Sequence, residues 1–295
     1  MILDEGAVRD LLRMEDLIPV MASALADLSS GKVVQPMRVM VPIADHGGFL
    51  GLMPAYGGAL GAKLVTFYPN NQGVPTHHAV IVLFRPETGE PLVTMDGRLI
   101  TEMRTAAVSA VATKCLARPE ASVLGILGAG VQARSHLEAL RLVRTFREIR
   151  VWSPRNARAF AKQFGIRAAA SAAEAVRGAD VVVVATTSQT PVLLGEWLSA
   201  GTHVNAVGAP RPTWRELDDA VLRAARIYVE SREAATRESG DVIAAGRVDA
   251  EIGEVVTGAK RGRESAGEVT LFKSVGVAIE DVATADLVYR KALGA

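Results

Sequence analysis

The sequence predicts an α/β protein with a doubly wound parallel sheet in its second half, and three observations predict it. From Ser122 onward, short apolar runs at 123–127, 149–152, 180–185, 203–207 and 227–229 alternate with helical stretches. Runs of that kind are buried on both faces, and strand–helix alternation builds a parallel sheet. The first run leads into Gly128-Ala129-Gly130-Val131-Gln132-Ala133, a G-x-G-x-x-A turn that opens a helix. The third observation is a different texture ahead of Gly128: short strands among Gly, Pro and Asn clusters mark a second region.

Taken in order, residues 6–28 set Val8, Leu11 and Leu12, then Leu17, Ile18 and Met21, at helical spacing, with Asp16 as the start signal of a second helix. After Gly31, residues 37–42, 48–53, 62–67, 79–84 and 91–96 read as short strands, the last two joined by a hairpin connection at 85–91. Residues 102–117 are Ala-rich and free of Gly and Pro, which predicts a long helix closed by Pro119. The domain seam is expected near Arg118-Pro119-Glu120. Residues 269–276 and 278–293 read as a strand, a turn and an amphipathic helix.

With 295 residues, 49% of them hydrophobic and 22% charged, the chain holds enough apolar material for two domains and is not a disordered composition. A formal charge of +1 offers no bulk field for nucleic acid or a membrane surface, so any anion site has to be local. Cys115, the single cysteine, excludes an internal disulfide and a cysteine-built metal centre, and fits a reduced cytosol. No carboxylate–histidine spacing points to a metal. Acids come early at the N-terminus, and no stretch approaches about 18 consecutive apolar residues, so a soluble cytoplasmic protein is expected.

The glycine turn carries the first chemistry. Gly128 permits a tight turn, Gly130 lets backbone approach a pyrophosphate, and Ala133 lets the helix pack closely on its strand, while N–H groups at the helix start face the anion. One strand later, an NAD enzyme ends with an acid that accepts hydrogen bonds from the ribose hydroxyls. Here the strand ends at Ser153-Pro154-Arg155-Asn156. Ser153, Arg155 and Arg158 offer a hydroxyl and two guanidinium groups to a 2′-phosphate, so NADPH is expected over NADH. Arg155 and Arg158 have a second reading as solvated surface charges opening a helix.

Several ordered stretches then resemble the ornithine cyclodeaminase and mu-crystallin family, closest to the mu-crystallin branch of NADPH-dependent ketimine reductases. They are Leu50-Gly51-Leu52-Met53-Pro54-Ala55-Tyr56, Lys63-Leu64-Val65-Thr66-Phe67-Tyr68, Arg104-Thr105-Ala106-Ala107-Val108-Ser109-Ala110, the Gly128 turn, Ala206-Val207-Gly208-Ala209-Pro210-Arg211-Pro212, Glu238-Ser239-Gly240-Asp241 and Phe272-Lys273-Ser274-Val275-Gly276. The resemblance implies a Rossmann NADP-binding domain, residues 119–276, inserted into an α+β substrate-binding and dimerisation domain formed by 1–118 and 277–295. It also implies a homodimer joined through the N-terminal sheet.

Residue by residue, the resemblance implies that Arg38, Lys63 and Arg104 bind a substrate carboxylate, a task for which a bidentate Arg and a compact Lys charge are suited; taken singly, each could instead be a surface charge or an ion-pair partner. Their loss is expected to impair substrate use without affecting folding. Thr76 and His77 match positions near the nicotinamide and its ribose, and His77 could shuttle a proton. His78 faces the other way on the strand. Thr186 and Thr187 follow an apolar run at the carboxyl edge of the sheet, where ligands of this fold lie. Val207 ends the next strand, and Ser274 matches a residue near the nicotinamide amide. Arg211 and Glu238 match substrate-side residues; Arg211 could instead neutralise Glu216 or Asp218, and Glu238 could be an exposed helical charge.

Pro210 departs from the family, whose cyclodeaminases and alanine dehydrogenases carry an Asp there. A proline cannot accept a proton, so cyclodeamination loses its base. The expected activity is hydride transfer to the C=N bond of cyclic ketimine carboxylates of the piperideine-2-carboxylate or pyrroline-2-carboxylate type. An amino-acid dehydrogenase, an N-alkyl amino-acid synthase and a non-catalytic, NADPH-bound carrier of a hormone-like small molecule remain the alternatives.

Overall fold

The structure, a computed structural model, describes residues 1–294. The chain forms two compact units, one made of residues 1–104 with those from Gly276 onward, the other of Thr105–Val275.

The first unit starts with β1 (Ile2–Leu3), α1 (Glu5–Leu11) and α2 (Met14–Ser29). Asp4 caps α1 by accepting from the Ala7 N–H. Helix α2 begins at Met14 and not at Asp16, which falls with Glu15 in the first turn, where acids complement the helix dipole. Strands β2 (Val39–Ile43), β3 (Gly48–Gly57), β4 (Ala59–Phe67), β5 (His77–Phe84) and β6 (Pro91–Asp96) follow. They make a six-stranded sheet in the order β1-β6-β5-β4-β3-β2, antiparallel except where β1 runs beside β6. Strands β3 and β4 outrun the sequence expectation because Pro54 and Gly61 lie inside the ladder, opposite Ala62 and Ala55.

One face of this sheet is core. Met53, Ala55, Ile81, Leu83, Val93 and Met95 are buried there, with α2 and the C-terminal helix Ala278–Ala292 packed against the strands. Gly61 lets β5 close on β4, since a Cβ would lie 2.7 Å from Leu83 Cδ2 and from Val82 O. The opposite face stays open. Val39, Leu52, Leu64 and Val80 form one cross-strand row, in which Val39, Leu64 and Val80 are 53%, 38% and 43% exposed.

Helix α3 (Arg98–Leu116) starts earlier than expected because Asp96 Oδ1 accepts from the Arg98 N–H. The division between the units falls inside it, after Arg104, and not at Arg118-Pro119-Glu120. Proline marks where a helix stops, which is separate from where the side chains change cores.

The second unit continues with β7 (Val123–Leu127), α4 (Val131–Val143), β8 (Glu148–Trp152), α5 (Ala157–Phe164), β9 (Arg167–Ala168), α6 (Ala172–Val176), β10 (Val181–Val184) and β11 (His203–Ala206). After these come α7 (Asp219–Ala224), β12 (Ala225–Val229), α8 (Arg232–Glu238), α9 (Gly240–Ala245), β13 (Ala250–Glu251), α10 (Ile252–Val256) and β14 (Val269–Lys273); the C-terminal helix is α11. The eight strands run parallel in the order β13-β12-β14-β11-β10-β7-β8-β9. The strand order reverses between β7 and β10, which places the ligand crevice of a doubly wound sheet at their carboxyl ends. Val181–Val184 is buried throughout, as a strand covered on both faces must be. Two histidines sit in this core with polar partners: His136 reaches Ser109 Oγ at 2.9 Å and Gln132 O at 2.7 Å, and His203 reaches Thr270 Oγ1 at 2.9 Å. No helix among the described residues is long and apolar enough to cross a membrane.

Candidate active site

In the second unit the glycine turn lies at the switch point. Gly128 follows β7 with φ of 116°, a conformation that favours glycine, and a Cβ there would overlap the Ala185 carbonyl at the end of β10. Gly130 is different. A Cβ on it would meet no heavy atom within 4 Å, so it leaves room beside the start of α4, whose N-cap makes no side-chain hydrogen bond. Val131 is 55% exposed there, and Gln132 carries a buried Oε1 without a hydrogen-bond partner. Open space and free helix N–H groups fit a dinucleotide pyrophosphate.

Ser153 is half-buried and Arg155 exposed in the loop after β8, while Arg158 lies exposed in the first turn of α5. Thr186 and the exposed Thr187 follow β10, Val207 follows β11, and the buried Ser274 follows β14 and donates its N–H to Ala206 O. These residues therefore stand at the carboxyl edge of adjacent strands. Among the described residues, no three His, Cys, Asp or Glu side chains are grouped to hold a metal ion.

Beneath that edge lies a cluster absent from the sequence expectations. Glu216, wholly buried, accepts from the Thr186 N–H at 3.0 Å and the Thr186 hydroxyl at 2.5 Å. Lys273 Nζ, at the end of β14, lies 3.9 Å from Glu216 Oε2 and 3.4 Å from Asp241 Oδ2, and donates to Gly208 O. Burial pushes the Glu216 carboxyl up to about 7, against the pull of Lys273 and Thr186. A lysine closing an otherwise buried strand was the available signal, since such a charge requires a buried partner.

The turn above this cluster holds Ala209 at φ 51° and the exposed Pro210. Arg211 stacks over Trp214 at 5.0 Å, and burial lowers its pKa. The acids suggested as its partners are engaged elsewhere: Glu216 as described, and Asp218 in capping α7 through the Val221 N–H. Glu238 is the last residue of α8 and half-buried, so it is not the fully exposed charge of the alternative reading.

In the first unit the three basic residues come together. Lys63 lies on the core face of β4, opposite Met53 and Ile81, and is 2% exposed. Arg38 immediately precedes β2 and donates through Nη2 to Gly276 O at 2.5 Å. Arg104 lies against the same glycine, where a Cβ would come within 2.5 Å of Nη1 and Gly276 adopts φ 73°. Two acids of α11 join them: Asp281 Oδ2 is 2.6 Å from Lys63 Nζ, Asp281 Oδ1 accepts from Arg104 Nε at 3.1 Å, and Glu280 pairs with Arg104 Nη1. Both acids are 0% exposed.

Burial pulls the Lys63 pKa down to about 8; Arg104 and Arg38 push the same way, and Asp281 opposes them. The expectation that losing Lys63 or Arg104 would spare folding is corrected by these contacts. Removing either cation leaves a buried acid without that partner, which costs about 3–5 kcal/mol.

His77 begins β5 opposite Phe67 and stacks on its ring at 4.5 Å, with Thr76 Oγ1 3.0 Å from its Nδ1. By alternation it shares the face of Ala79 and Ile81, hence of Lys63. Desolvation, then Lys63 and His78, lower its pKa. His78 pairs with Thr66 on the other face.

A parallel sheet reversing its strand order at a glycine turn that fits a pyrophosphate defines the class of dinucleotide-binding α/β proteins. Within it, the chain belongs to the ornithine cyclodeaminase/mu-crystallin family, whose model matches residues 1–295. It is 51% identical over 296 residues to the ketimine reductase mu-crystallin of Mus musculus, covering 96% of this chain and 94% of that one. Among solved structures, it matches Thermococcus litoralis Δ1-pyrroline-2-carboxylate reductase in complex with NADH and L-proline with a TM-score of 0.95 at 42% identity, covering 100% of this chain and 98% of the other. An archaeal alanine dehydrogenase dimer with bound NAD matches with a TM-score of 0.95 at 39% identity, covering 100% and 96%.

Proposed function

We propose that this protein is an NADPH-dependent reductase that transfers a hydride to the C=N carbon of cyclic ketimine carboxylates, giving cyclic amino acids. The observation that carries the reading is the gathering of Arg38, Lys63 and Arg104 around Gly276 and Asp281. Two guanidinium groups and an ammonium present donors to one carboxylate, and their burial strengthens the attraction. Lys63, with a pKa of about 8, is mostly charged at neutral pH and holds a proton beside the substrate. Bound NADPH supplies the hydride.

Gly128, Gly130, Val131 and Gln132 take the pyrophosphate, Ser153, Arg155 and Arg158 the 2′-phosphate, and Thr76, His77, Thr186, Thr187, Val207 and Ser274 face the nicotinamide half. Arg211 and Glu238 lie on the substrate side. The solved relatives named above hold NADH and NAD, so the preference for NADPH rests on this chain's Ser153 and Arg155. Pro210 provides no base for cyclodeamination.

A second copy of the chain covers the open apolar face of the first unit's sheet. The row Val39, Leu52, Leu64 and Val80 supports this assignment, because a monomer gains nothing from exposing it.

The purified protein should oxidise NADPH when piperideine-2-carboxylate or pyrroline-2-carboxylate is added, and not with the corresponding imine lacking the carboxylate. Faster turnover with pyruvate and ammonia would move the assignment to an alanine dehydrogenase. No turnover with any imine or keto acid would leave a binding protein.

A further inference from the structure

We propose that Asp281 is a positioning residue of the carboxylate clamp: one buried carboxylate on α11 sets the separation of Lys63 and Arg104 and keeps Lys63 charged. The proposal rests on the reading of those two residues as the clamp. Its geometry is a divided one, with Oδ2 2.6 Å from Lys63 Nζ and Oδ1 accepting from Arg104 Nε at 3.1 Å. Lys63 comes from β4, Arg104 from α3 and Asp281 from α11, so a single group ties three elements.

The two cations depend on it unequally. Arg104 also has Glu280 at Nη1 and the Gly276 backbone against its guanidinium. Lys63 ends in a flexible four-carbon stem and has Asp281 as its ion-pair partner. Holding that stem in one conformation is what presents Nζ at a fixed place.

Buried ion pairs are weak contributors to stability, because desolvation offsets their attraction and apolar residues of similar volume do as well. A cluster of this kind is explained by what its cations do. The charged groups around Lys63 are Arg38 ahead of β2, Arg104 on α3, His77 on β5, and Glu280 and Asp281 on α11. Arg38 and Arg104 drive the proton off Lys63; Asp281 holds it on.

The test is Asp281→Asn, which keeps the shape and removes the charge. In protein labelled with ¹³C at lysine Cε, the Lys63 signal, assigned by its absence in Lys63→Met, should titrate near pH 8 in the wild type and about one pH unit lower in the variant. The alkaline limb of kcat/KM for a ketimine carboxylate should move the same way. Its KM should rise about tenfold or more, and Asp281→Glu should recover part of the loss. Superimposable titrations and pH profiles in a folded variant would overturn the proposal.

If Asp281→Asn does not fold, Asp281→Glu carries the test alone. Its longer side chain displaces the carboxylate, so an unshifted Lys63 titration together with an unchanged KM overturns the proposal, and a change in both supports it. A wild type inactive on every ketimine carboxylate would defeat the functional reading, while the Lys63 titration would still decide whether Asp281 holds the proton there.

Discussion

Arg155 stands exposed after β8, with Ser153 two residues before it and no acid in the loop to compete for its guanidinium. A hydrogen bond between charged groups contributes about 1.5–3 kcal/mol, so Arg155→Ala should raise KM for NADPH by about 10- to 150-fold. KM for NADH should hardly change. Steady-state kinetics with both cofactors measure this, and equal efficiency of the wild type with each would refute it. At this scale Lys63 and Arg104 were singled out by the family resemblance, with apolar or small neighbours in support. Their partners were not: Glu280 and Asp281 open a helix, where acids are ordinary. Glu216, Asp241 and Lys273 come from distant parts of the chain, and only the folded sheet brings them together.

The turn between β7 and α4 separates two roles of glycine that the motif alone merges. Gly128→Ala forces a side chain into φ 116° and onto the Ala185 carbonyl. Strain of about 1–3 kcal/mol plus the overlap should lower the melting temperature by about 5 °C or more. Gly130→Ala places its Cβ in open space, so stability should hold while NADPH affinity, read by fluorescence titration, falls about tenfold or more. Loss of stability in both, or in neither, would show that the turn is built otherwise. Strands β7 and β10 were readable because uninterrupted apolar runs have few other uses, whereas β8, β11 and β12, which carry Arg150, His203 with Asn205, and Arg226, were read from their alternation with helices. Helices α8, α9 and α10 were not, since 5–7 residues are too few to display a period.

Stability of the whole chain toward acid is governed by buried titratable groups. Burial holds His136 down to about 4 and His203 to about 3, so below about pH 6.5 the unfolded chain takes up protons that the folded one refuses. Each histidine removes up to about 1.4 kcal/mol per pH unit over that range. Glu216 acts oppositely: with its folded pKa at about 7, it adds stability as pH falls from there to about 4.5. Urea unfolding between pH 7 and 5 should therefore show a net decline of about 1.4 kcal/mol per unit, about doubled in Glu216→Gln. Equal slopes would mean that Glu216 is ionised in the fold. The two-region organisation was visible in the change of texture along the chain. The division at Arg104 was not, because a helix can cross from one core to another without a break in its composition. That division also orders events during synthesis. The helix that covers the first unit's sheet, and brings Asp281 and Glu280 to its cations, is made only after the whole of Thr105–Val275. At about 5–20 residues per second, the growing chain exposes Met53, Ile81 and Leu83 for roughly ten seconds or more while Thr105–Val275 is translated. Premature termination just before α11 would release a chain with that sheet uncovered, a substrate for chaperones and proteases although the second unit is complete.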